Sequence, residues 1–246
     1  MSIGVPAIGF YFVNGMANTD GHGSKATEVI QEVLQKAPEF QEGRVFVTFH
    51  LNDAAPAERV LLELVGAVGG AVALGYSINK ELKKQGDKTS RFSGFLGALA
   101  LTGAGYDYVQ MQEDKNRIAT ELANRVSIFL GENELNIANL ILHSQGADIG
   151  YRALDTLSEY KHRIRVITLG AMTTIPNDMC SQVENYKFKN DWISRVLALP
   201  FESRRQANDA KERSVTDLEK EGILAHDVHS YIQEKRVRER LVSLLA

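Results

Sequence analysis

The chain has 246 residues and a single cysteine, Cys180. One thiol cannot close an intramolecular disulfide or supply a cysteine-rich zinc site, so neither device holds this fold together. A strong charge of one sign is missing too. Against 31 Asp and Glu stand 28 Lys and Arg, a formal net charge of −3, which excludes a nucleic-acid binder that works by broad phosphate neutralisation. The opening residues, Met1 to Ala7, have neither the basic stretch nor the long apolar run of a secretory leader. The expectation is a cytoplasmic protein, or one exported by a route without a Sec signal peptide. Internal repeats and low-complexity tracts are absent. Gly103-Ala104-Gly105 does not follow a strand as a dinucleotide fingerprint would. His22, His50 and His162 lack metal-ligand spacing. No cofactor and no metal are expected.

What is present is an ordinary globular composition, 44% hydrophobic and 24% charged, long enough for one domain over residues 1–246 with a sizeable core. Strand and helix signals alternate. Ile8 to Val13 reads as a strand, Ala26 to Lys36 as a helix ended by Pro38, and Arg44 to Phe49 as the next strand. Tyr108 to Gly131 reads as a long helix with Ile118, Leu122, Val126 and Phe129 on one face. Strands over Ala138–Leu142, Arg163–Gly170 and Tyr186–Asn190 follow, then a final helix from about Ser230 to Leu245. This order predicts an α/β fold, a mostly parallel sheet flanked by helices.

The most informative stretch is Leu140-Ile141-Leu142-His143-Ser144-Gln145-Gly146-Ala147. An apolar run reaches a serine, and a helical pattern follows at once. A serine on such a strand–turn–helix points its hydroxyl outward, and the N–H groups of the helix start face the same space. Nucleophilic acyl chemistry needs both. A plain helix N-cap would use the same serine.

The segment resembles the nucleophile elbow of the α/β-hydrolase superfamily, G-x-S-x-G, and in particular its lipase and serine-esterase members. Gly146 matches the second glycine, whereas Leu142 stands where the first small residue belongs. The strand signals are few for the superfamily's full sheet: the usual first antiparallel pair is missing, and a minimal core of about six strands or fewer is expected. The resemblance also implies a triad in the chain order Ser, Asp, His. Asp191 lies just past the strand ending at Asn190, where the family places its acid; Asp178 is the alternative. His226, just before the final helix with Tyr231 and Ile232 near its start, fits the family's histidine; His229 is the alternative. Asn14-Gly15 occupies the place of the family's first oxyanion turn, which makes the N–H groups of Met16 and Gln145 the expected oxyanion donors. Such a donor is worth about 3 kcal/mol of transition-state stabilisation. The implied function is a serine hydrolase acting on carboxylic esters, of small-molecule, lipid or other acyl type. The rival from another class is a catalytically silent hydrolase fold used for binding or membrane association, with Leu142 and the unusual middle of the chain as its motives.

Two insertions interrupt the pattern. Residues 54–107 hold two apolar runs, Leu61–Ile78 and Phe92–Gly105, joined by a basic link with Lys80, Lys83, Lys84, Lys88 and Arg91. This reads as a helical hairpin whose glycines and alanines allow close contact. It could be a buried cap, a lid that binds acyl chains, or a surface-inserting hairpin giving peripheral membrane contact through 61–105. Residues 201–222 are highly charged and read as an exposed loop or solvated helix.

Overall fold

The structure, a computed structural model, describes residues 6–15, 20–41, 43–50, 112–171, 173–191, 194, 215–218 and 226–246. The chain divides into two units, Met1–Asn52 with Asn116–Ala246, and Asp53–Lys115. The expected hairpin over 54–107 lies outside the described residues.

Among the described residues, six strands form one sheet: β1 (Ile8–Val13), β2 (Val45–His50), β3 (Ile137–His143), β4 (Ile164–Leu169), β5 (Gln182–Phe188) and β6 (Val215–Leu218). The order is β2-β1-β3-β4-β5-β6, and every pairing is parallel. The fold is α/β, as the alternation of signals predicts. The helices are α1 (Asp20–Gln35), α2 (residues 112–132), α3 (Gly146–Thr156), α4 (Val228–Gln233) and α5 (Lys235–Ser243), with a 3-10 turn over Ser158–Arg163.

Both faces of the sheet are covered, which is why its central strands read as unbroken apolar runs rather than alternating ones. Side chains alternate between faces along a strand. Phe10, Phe12 and Ile141 point to a core shared with Ala26, Ile30 and Leu34 of α1, Val228, Tyr231 and Ile232 of α4, and Val237 and Leu241 of α5. Tyr11 and Leu142 point the other way: Tyr11 meets Phe129 of α2, and Leu142 meets α3. Truncating a fully buried phenylalanine such as Phe10 or Phe12 costs about 3–5 kcal/mol.

Three differences from the sequence reading have physical causes. Helix α1 starts at Asp20, six residues before the apolar pattern does, because Asp20 to Lys25 offers two glycines and no aliphatic side chain. Within the charged stretch 201–222, Val215–Leu218 forms edge strand β6 along β5; four residues are too few for periodicity to reveal. The expected final helix is two helices. Glu234 takes extended backbone, φ −63° and ψ 131°, and its side chain accepts from the Lys235 and Arg236 N–H groups, capping α5.

The sheet order reverses between β1 and β3. The chain steps from β1 outward to β2, then returns to continue on the other side. Ligands of open parallel sheets bind in the crevice at the carboxyl ends of the strands beside such a switch point. Asn14-Gly15 follows β1 and Ser144 follows β3, so both turns open into that crevice.

Candidate active site

Ser144 has φ 54° and is the one non-glycine residue with positive φ among the described residues. A non-glycine residue in this left-handed region costs about 1–3 kcal/mol and persists only where its surroundings enforce it. Here they do. The Ser144 N–H donates to the Leu169 carbonyl at 3.1 Å, and the Ser144 carbonyl accepts from Ala147 N–H at 3.2 Å. Glycines on either side admit the close approach. A Cβ on Gly146 would stand 2.4 Å from the Val13 carbonyl oxygen and 2.7 Å from that of Asn14. A Cβ on Gly15 would stand 2.6 Å from the Ser144 Cβ.

Leu142, the residue that departs from the elbow pattern, fits because of Gly150. A Cβ on Gly150 would lie 2.3 Å from the leucine's Cδ1. The strand carries the bulk and the helix carries the gap, so strand and helix still pack closely with the leucine fully buried.

The structure brings Ser144, His226 and Asp191 together. His226 Nε2 lies 2.8 Å from Ser144 Oγ. His226 Nδ1 lies 2.9 Å from Asp191 Oδ1 and 2.8 Å from Oδ2. A carboxylate only accepts, so Nδ1 carries the proton, and in the neutral imidazole Nε2 is left to accept from the serine hydroxyl. His226 is placed just ahead of α4 by Asp227, whose carboxylate accepts from Ser230 N–H at 3.0 Å and caps the helix. Such a cap is worth about 1 kcal/mol. His229 falls inside α4, and Asp178 is exposed between β4 and β5; neither joins this chain of hydrogen bonds. Gln145 stands at the head of α3 with helical backbone, φ −65° and ψ −22°. Met16 lies outside the described residues.

Asp191 is buried at the end of β5 and is well supplied with donors. The Ser194 N–H donates to Oδ1 at 3.0 Å and the Tyr231 hydroxyl to Oδ2 at 2.7 Å. Burial by itself would raise this carboxyl. The bonds from His226, Ser194 and Tyr231, with the nearby imidazole charge, outweigh it and hold the group down to about 2.

Sequence reasoning placed Tyr231 as a helix anchor and missed its contact with the acid. The same hydroxyl accepts from Phe188 N–H at 3.0 Å, so it ties the end of β5, the acid and α4 in one place. Gly170, also missed, has φ 56°, and a Cβ there would lie 2.8 Å from Asp191 Oδ2. Only glycine adopts that backbone cheaply and leaves the carboxylate where it is. A glycine at the end of an apolar strand was the available signal.

Among the described residues, no group of three or more His, Cys, Asp or Glu could hold a metal ion. Among them, no helix is long and apolar enough to cross a membrane. No protein-family model and no curated protein matches the chain. Among solved structures, the chain is similar to a dienelactone hydrolase from Anabaena variabilis ATCC 29413. The identity is 14%, over 98% of this chain and 84% of that one, with a TM-score of 0.36.

Proposed function

We propose that the protein is a serine hydrolase that cleaves carboxylic esters. The observation that carries this reading is the unbroken chain of hydrogen bonds from Ser144 Oγ through the His226 ring to Asp191, set on a serine with φ 54°. A helix cap would explain a serine at the turn, but not the histidine and buried carboxylate aligned behind it. In this mechanism Ser144 attacks the acyl carbon while His226 Nε2 takes the hydroxyl proton. The proton then goes to the leaving alkoxide, and the alcohol departs. His226 next takes a proton from water, which attacks the acyl-serine, and returning that proton to Ser144 releases the acid. Asp191 holds the imidazole in the right tautomer and steadies the imidazolium in each half. The N–H groups of Gln145 and Met16 are the oxyanion donors in this reading.

The silent-fold alternative drew on Leu142 and on the unusual middle of the chain; the fit of Leu142 against Gly150 answers the first, and residues 54–107 lie outside the described residues. A preference for lipid or other long acyl groups draws on the apolar runs and the resemblance, and membrane contact through 61–105 on those runs with their basic link.

The test is covalent. A fluorophosphonate should label the protein at Ser144, and S144A should lose labelling and about 10³-fold or more of its esterase activity. An S144A protein that hydrolyses esters as fast as the parent sinks the mechanism.

A further inference from the structure

Beside the proposed triad lies a second imidazole with no role in it. His143 ends β3, directly before Ser144, and is 5% exposed. Its ring centroid is 5.1 Å from that of His226, yet the bond between the two residues runs from ring to backbone. His143 Nε2 lies 2.9 Å from the His226 carbonyl oxygen. A carbonyl only accepts, so this nitrogen carries the proton. Burial pushes the His143 imidazole down to about 3, which keeps the ring neutral and its Nδ1 a bare lone pair. That Nδ1 is buried with no hydrogen-bond partner, an arrangement that costs stability. A phenyl ring would fill the same space without that cost. What histidine supplies there, and phenylalanine cannot, is the bond to His226.

We propose that His143 is a positioning residue for the base: its Nε2–H fixes the His226 carbonyl and so sets the angle at which the His226 ring meets Ser144. The inference rests on the triad reading above. The His226 ring has two bonds of its own, to Ser144 and to Asp191. The first is lost whenever the serine oxygen is acylated. The ring then hangs from Asp191 alone unless its backbone is fixed. Cap residue Asp227 fixes the backbone on the α4 side, and His143 fixes it at the carbonyl of His226 itself. Gly15 in turn makes room for the His143 ring, since a Cβ there would stand 3.1 Å from Nδ1. The residue before the nucleophile thus links the serine strand to the base-bearing segment without passing through the acid.

The experiment compares the parent protein with H143F and H143Q. The glutamine amide N–H reaches toward the same carbonyl; the phenyl ring has no donor. Two quantities are read: kcat and KM on a soluble ester, and, without substrate, the far-downfield proton resonance of the His226 Nδ1–H bonded to Asp191. H143F is expected to keep KM within about twofold and lose about 10- to 100-fold in kcat, with its downfield resonance moved or broadened. H143Q should recover most of both. An H143F protein matching the parent in kcat and resonance overturns the proposal, as does an H143Q protein as impaired as H143F. If H143F does not fold, H143M removes the same donor and is judged by the same two outcomes. A parent protein that hydrolyses no ester sinks the triad reading alone, and the resonance then decides on His143 by itself.

Discussion

Ser144 and the His226–Asp191 arm meet at 2.8 Å but are held by opposite means. The serine turn is shaped by side chains that are missing. Gly15, Gly146 and Gly150 leave gaps into which Ser144 Cβ, the Val13 and Asn14 carbonyls and Leu142 fit. The arm is held by side chains that are present: the Tyr231 hydroxyl on Asp191, the Asp227 cap on α4, and His143 on the His226 carbonyl. A site built on shape fails when a methyl group is added. A site built on polar bonds fails when a donor is removed. The two halves should therefore answer to different kinds of substitution.

The largest expected effect is on the polar half. D191N would turn the carboxylate into an amide that can favour the wrong imidazole tautomer. A loss of about 10⁴-fold in kcat is expected, measured on a soluble ester; an N-variant within tenfold of the parent would break the contrast.

Next comes the shape half. G146A adds a methyl that meets two backbone carbonyls, and neither can swing away. Overpacking of this kind costs about 1–3 kcal/mol, and the displaced serine should lose about 100-fold in kcat. Thermal unfolding and kinetics together check it. Y231F removes a hydroxyl from the acid and an acceptor from the Phe188 N–H. About tenfold in kcat and about 1–3 kcal/mol in stability are expected to go together; an unchanged rate would show that the acid needs no such support.

The smallest effect is the most diagnostic. G150A should destabilise by about 1–3 kcal/mol through its collision with Leu142. Adding L142A should return part of that loss, a coupling of about 0.5 kcal/mol or more. Strict additivity in urea unfolding would mean the two residues do not share the space between β3 and α3.

The same contrast explains what could be read from the sequence. Ser144, Asp191 and His226 were legible because each sits at an element boundary that the resemblance points to: the end of an apolar run, the end of a late strand, and the start of the final helix. The parallel sheet was legible because buried strands are continuous apolar runs. The fit of Leu142 was not, since it depends on a glycine eight residues further along that only the β3–α3 crossing brings beneath it. Tyr231 looked like core, and it is core; its hydroxyl reaches Asp191 only once β5 and α4 are side by side. Strand β6 was hidden by its charged setting, and the break at Glu234 by an amphipathic pattern that runs on through it.

Helix α1, formed from residues near the start of the described chain, shares its core with α4 and α5, formed from the last. His226 is carried on the segment that closes this contact. A chain that stops short of residue 226 carries Ser144 and Asp191 but no partner for the serine hydroxyl. Ser144 and His226 are thus joined through the core that α4 and α5 share with α1, and loosening that core separates the two side chains.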